Sequence, residues 1–201
     1  MPLWKNRAFV DDPWQPVADG EPVPADVPAI VSLKRWRAER PALSERNAPL
    51  GLQIDPGSDW SDVVADLPRF PVIVVTISKY ADGRAFSMAR LLRERDGYKG
   101  EIRAAGPYII DQVPFMMRVG IDAFVATDPI LIRAMEEGVW PEVSHYLQPA
   151  WPGDGEVPAG TRPWVRKLQA QRMITTIRFA KPMRYRMWTP SHIPHATKPL
   201  I

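Results

Sequence analysis

The chain has 201 residues, 45% of them hydrophobic, which is enough for a real core and rules out a disordered chain. With no cysteine, disulfides, thiolate metal sites, iron–sulfur ligation and cysteine nucleophiles are all excluded. The net charge of +3 is unevenly placed: residues 151–201 hold nine Lys/Arg against two acids, a net of +7, leaving −4 for the rest. Such asymmetry marks an interaction tail.

Three regions follow from the sequence. Residues 1–27 read as an arm or ribbon, with Ala8-Phe9-Val10 as a short strand and turns at Asp11-Asp12-Pro13-Trp14 and Asp19-Gly20-Glu21-Pro22. The Pro22 to Pro28 run is extended by necessity. Residues 28–150 alternate between strand and helix patterns. Strands are expected at Ala29 to Leu33, Leu50 to Ile54, Val72 to Ile77, Glu101 to Ala105, Ile121 to Ala126 and Val143 to Leu147. Val72 to Ile77 is apolar almost throughout, as in a strand buried on both faces.

The helices between them carry their own stop and start signals. Lys34 to Arg40 is a short helix ended by Pro41, and Trp60 to Leu67 another, with Ser58 or Asp59 as N-cap. Asp82 to Arg95 is a basic helix stopped by Gly97. Pro107 to Val119 is helical in pattern, but Pro114 sits inside it, so the helix either kinks or restarts there. Thr127 or Asp128 caps the next helix, with Pro129 first and Gly138 past its end. Short links between alternating strands and helices imply parallel pairing through right-handed crossovers. The fold class is α/β, a mostly parallel sheet or an incomplete barrel, with an N-terminal ribbon and a basic C-terminal extension.

In residues 151–201, Thr161 reads as the cap of a helix over Trp164 to Gln171, and Met173 to Phe179 as β-prone. Basic and aromatic residues interleave here. Trp164, Arg166, Lys167, Arg172, Arg178, Arg184, Tyr185, Arg186 and Trp188 suit docking on an acidic protein or a larger complex. They also suit a strap on the chain's own acidic body, or nucleic acid, where cations take phosphates and rings stack on bases.

Ligands of parallel α/β folds sit outside the carboxyl ends of the strands. That rule nominates Ser78, Lys79, Tyr80, Asp82 and Arg84, then Gly106, Asp111 and Gln112, then Thr127 and Asp128. Lys79 and Arg84 beside a helix N-terminus would form a pocket for phosphate, sulfite or sulfate. The bland alternative is that Asp82 caps the helix and Arg84 pairs with a neighbouring acid. Arg103, in a buried strand, needs an acid or a ligand as partner. The three histidines, His145, His192 and His195, form no convincing metal set, and no phosphate loop, nucleophile elbow or dinucleotide fingerprint is present. No metal and no cofactor is therefore expected. Met1 to Asn6 lacks the apolar run of a signal peptide, and no stretch is long enough to span a bilayer, so a cytoplasmic protein is the expectation.

Several words of the chain resemble a bacterial family of unknown function, number 934. They are Lys79-Tyr80-Ala81-Asp82-Gly83-Arg84, Ala89-Arg90-Leu91-Leu92-Arg93-Glu94-Arg95, Gly97-Tyr98-Lys99-Gly100-Glu101-Ile102-Arg103-Ala104 and Gly120-Ile121-Asp122-Ala123-Phe124. Weaker likeness covers about residues 1–150. Members are often labelled oxidoreductases of sulfite reduction, and the resemblance implies that context here. Where the family usually has an acid after the glycine equivalent to Gly106, this chain has Pro107; where it has arginine before Asp111-Gln112, this chain has Ile110. The resemblance thus implies a diverged paralogue with a basic tail, acting as a non-catalytic accessory subunit of a redox assembly. The alternative is an enzyme or binding protein for a small anion, with Lys79, Asp82, Arg84, Arg103 and Gln112 at its site.

Overall fold

The computed structural model describes residues 2–139 and 145–147, and the backbone of 156–159 and 162–168. It opens with a hairpin of β1 (Leu3–Lys5) and β2 (Ala8–Val10), joined through Asn6 and Arg7 at φ 52° and 63°. Positive φ at both central residues gives a turn whose twist matches the flanking strands. Of this hairpin the sequence pattern showed only β2.

From there the chain adds strands in order: β3 (Gln15–Pro16), β4 (Ala29–Ser32), β5 (Leu50–Ile54), β6 (Val72–Thr76), β7 (Glu101–Ala105) and β8 (Ala123–Val125). All of these neighbours are parallel, and β1 closes against β8 antiparallel, giving the order β2-β1-β8-β7-β6-β5-β4-β3. The mostly parallel sheet curls into a half-barrel. Strands laid down in sequential order, with every crossover of one hand, put the connecting helices on one face.

Alternate residues therefore meet different environments. Val31, Leu52, Ile54, Ile73, Val75, Ile102 and Phe124 point into the main core with Trp36, Leu67, Met88, Leu92 and Met116. Ile30, Val72 and Val74 point the other way, where Trp14 and Ala105 pack on them. The N-terminal segment around Trp14 thus covers the face that the helices do not. This double cover is why β6 is apolar on both faces.

Helix α1 (Leu33–Ser44) is two helical segments joined at a kink just before Pro41, so the break expected at Pro41 is present and a second short segment follows it. Glu39 leaves helical geometry at φ −116°, ψ 16°, and this kink spares the proline ring a clash with the preceding turn. The segment after β5 is a 3-10 helix (Ser61–Arg69), with Asp59 Oδ1 accepting from Ser61 N at 2.9 Å. Helix α2 (Arg84–Glu94) ends before Gly97 at φ 66°. Pro114 falls in the first turn of α3 (Val113–Arg118), after a 3-10 turn at Ile110–Gln112, so the helix restarts there. Helix α4 (Pro129–Glu136) is capped by Asp128, whose Oδ1 accepts from Ile130 N at 2.8 Å, and Gly138 follows at φ 65°.

One buried cation organises the α2–β7 link. Arg93, 4% exposed, donates to the carbonyls of Gly120, Tyr98 and Gly100 at 2.8–3.0 Å and pairs with Asp122. Its ion pair and carbonyl bonds repay the desolvation of the buried charge.

The expected helix over Trp164 to Gln171 is corrected. Arg162–Leu168 is strand β10, antiparallel to β9 (Glu156–Ala159), a two-stranded sheet among the described residues. The register shifts between Arg162 and Arg166, next to Pro163. A bulge tolerates a proline that cannot donate to the ladder, and pairing with β9 outweighs the helical bias of a segment too short to hold a helix alone. The expected strand at Val143 to Leu147 lies outside the described residues except for 145–147, and Met173 to Phe179 lies wholly outside them.

Candidate functional site

The turn after β6 is built around one carboxylate. Ile77 N donates to Ala105 O at 2.7 Å, so β6 and β7 stay paired one residue past the strand. The chain then reverses through Lys79 and Tyr80, and Asp82 N donates to Lys79 O at 2.8 Å. Asp82 is buried, and its carboxylate accepts from Ser78 Oγ at 2.6 Å, Arg84 N at 3.2 Å, Arg84 Nε at 2.9 Å and Arg84 Nη2 at 2.7 Å. The Arg84 guanidinium, then the Ser78 hydroxyl, hold this carboxyl far below the usual carboxylate range. Asp82 in turn raises Arg84. One N–H of the helix N-terminus, that of Arg84, and the Arg84 guanidinium are thus taken by the chain's own carboxylate.

This arrangement fixes the sign of a pH effect. A depressed carboxyl contributes stability that is present above its unfolded value, about 3.9, and lost as pH falls through its folded value. Asp82 is therefore expected to stay ionised at pH 3, where ordinary aspartates are mostly protonated. Carboxyl carbon NMR titration reads this directly; a midpoint near 4 for Asp82 would contradict it.

Beside the turn lies a pocket of about 430 Å³, lined by Tyr80, Gly106, Pro107, Tyr108, Ile109, Thr127, Asp128 and Leu131. It sits at the carboxyl ends of β6, β7 and β8, where parallel folds place ligands. Gln112 ties its rim, with Nε2 donating to Tyr80 O at 2.7 Å and Oε1 accepting from Ile109 N at 3.2 Å. Tyr108 donates its hydroxyl to Val125 O at 2.9 Å, and burial pushes that phenol upward. Its ordinary state is therefore neutral. Lys79, Arg84 and Arg103 do not line the pocket. Pro107 stands on its wall at the position where the sequence departs from the resembled pattern.

Arg103 belongs to a second cavity, of about 380 Å³, on the other face of the sheet. It is 3% exposed, and Nη1 donates to both oxygens of Asp12 at 2.8 and 2.9 Å. Nε donates to Glu101, which also pairs with Lys5. Trp14 lies over the guanidinium, 5.9 Å from Cζ to ring centroid. The structure thus gathers Lys79, Asp82, Arg84 and Gln112 near one strand end and sets Arg103 apart from them. Sequence reasoning passed over Asp12, Trp14 and Glu101. The i, i+2 spacing of Glu101 and Arg103 was a usable signal, because it puts both on one face of a strand.

Trp164, Arg166 and Lys167 lie on β10, while Arg172, Arg178, Arg184, Tyr185, Arg186 and Trp188 lie outside the described residues. Among the described residues no group of three or more His, Asp or Glu is arranged to hold a metal ion, and no helix is long and apolar enough to cross a membrane.

The family model described as bacterial protein of unknown function (DUF934) matches residues 51–155, just over half of the chain. The chain belongs to this family. The match starts in β5 and takes in β6, β7 and β8. Asp12, Trp14 and most of the basic C-terminal segment fall outside it. No curated protein and no solved structure matches the chain.

Proposed function

We propose that this protein is a non-catalytic accessory subunit of a redox assembly related to sulfite reduction, docking through its basic C-terminal segment. The sulfite context rests on the family resemblance alone. The non-catalytic reading rests on one observation: the arginines nominated for an anion site are neutralised within the chain, Arg84 by Asp82 and Arg103 by Asp12 and Glu101. A carboxylate held by several charge-assisted bonds is not readily displaced by an incoming sulfite or phosphate.

The docking reading rests on charge and on pairing. The segment from residue 151 carries +7 against −4 for the rest, and among the described residues β9 and β10 pair with each other and not with the eight-stranded sheet. Arg and Trp are the residues that most often anchor interfaces. The test compares the full chain with one ended at residue 155, each used as bait in native lysate at low salt. The full chain is expected to retain an acidic redox protein, released by about 0.5 M salt as screening shortens the Debye length, and the truncated chain to retain none. Equal recovery by both chains, or nucleic acid as the sole material retained, would overturn the reading.

A further inference from the structure

The cavity at Arg103 has an apolar space that neither the docking role nor the strand-end pocket uses. Its lining is mostly apolar, formed by Ile30, Val74, Ala105 and Val125 with Trp14 at one side, and Gln53 and Asp12 add polar groups. Trp14 packs against bare backbone: a Cβ on Gly51 would come within 3.3 Å of its ring. Into this apolar space faces one arginine, 97% buried, with two of its three nitrogens already engaged. Its third, Nη2, makes no hydrogen bond among the described residues.

The charges around it balance. Arg103 and Lys5 face Asp12 and Glu101, two cations against two anions. A further full charge brought here would be desolvated without a counter-ion, at a cost of several kcal/mol. A neutral acceptor meets no such cost and gains a bond from an ionised donor. The volume of about 380 Å³ falls in the range of small-molecule sites, which pair apolar walls with few polar groups.

We propose that this cavity binds an uncharged, planar small molecule whose carbonyl or carboxamide oxygen accepts from Arg103 Nη2, with its ring against Trp14 and the Ile30–Val74 surface. Asp12 and Trp14 lie outside the family match, so this chain's own N-terminal segment completes the site. The proposal is independent of the docking role, since truncation after residue 155 leaves every lining residue in place.

The test titrates the full chain with indole-3-carboxamide and, separately, with indole-3-carboxylate, by calorimetry and by NMR of the Trp14 indole N–H. The carboxamide is expected to bind at least tenfold more tightly than its charged isostere and to shift the Trp14 resonance. Filling the cavity by Ala105→Phe should weaken carboxamide binding at least tenfold, with the melting transition confirming a folded chain. Should that variant not fold, the wild-type shift of Trp14 decides by itself. The proposal fails if neither probe binds at its solubility limit, if the carboxylate binds as well as the amide, or if folded Ala105→Phe binds as wild type does.

Discussion

Replacing Gly106 by alanine is expected to lower stability by roughly 3–5 kcal/mol, the sum of backbone strain and overpacking. Gly106 sits at φ +120°, a region that L side chains rarely adopt. A Cβ there would lie 2.1 Å from the Ile77 carbonyl oxygen and 3.0 Å from its carbon. That neighbour is backbone, fixed by the 2.7 Å bond from Ile77 N to Ala105 O, so it cannot rotate away as a side chain could. Relief requires β6 and β7 to part at their carboxyl ends, which would also shift the turn carrying Asp82. Urea unfolding should show the midpoint falling by about 2 M at unchanged slope. Gly138→Ala is the control. Its φ of +65° is also left-handed, but a Cβ there meets nothing within 4 Å. It should cost only about 1 kcal/mol. Equal losses at the two positions would show that close approach at Ile77 is not the cause.

Arg103→Met is expected to cost about 3–5 kcal/mol, the usual penalty for removing one partner of a buried pair. The loss leaves Asp12 inside without its bidentate partner, while Glu101 keeps Lys5. The effect should therefore concentrate on the N-terminal segment. Two amides report it: Gln15 N, bonded to Pro28 O at 3.0 Å, and Val17 N, bonded to Ile30 O at 2.9 Å. Both should exchange with solvent far faster in the variant. Combining Arg103→Met with Asp12→Asn removes the stranded charge, so the pair should cost less than the two single changes summed, by about 1–3 kcal/mol. Additive losses, or unchanged exchange at Gln15 and Val17, would show that the Asp12–Arg103 pair does not hold this segment on the sheet.

Legibility differed between features set by neighbours in sequence and features set across it. β7 spans Glu101–Ala105, as expected, and β6 is buried on both faces, as its nearly continuous apolar run implied. The α4 cap at Asp128 and the stop at Gly138 follow from local hydrogen bonding and backbone freedom. The α/β class followed from the same signals, and no member of the strand series from β4 to β8 was missed. Errors fell where tertiary contact overrides local bias. The helical break before Pro41 was foreseen, but not the second segment after it, whose Arg40 binds Asp66 of the 3-10 segment together with Trp36 of the first. Residues 162–168 pair as a strand although their pattern reads as a helix.

The candidate site divides in the same way. The turn from Ile77 to Arg84 could be placed at a strand end from sequence, because an apolar run followed by a polar turn and a helix start has one meaning in a parallel sheet. Pairing of Arg84 with Asp82 was also within reach, two residues away. By itself, then, the sequence determined the strand–helix alternation, the two-sided burial of β6 and the need of Arg103 for a partner. Only the tertiary structure decided that the sheet curls into a half-barrel, and that the partner is Asp12, 91 positions earlier. It also decided that Arg103 faces a cavity separate from the strand-end pocket. The reason is physical: helix caps and strand faces follow from neighbours a few residues away, whereas a buried charge is matched only when the closing chain brings its counter-ion to it.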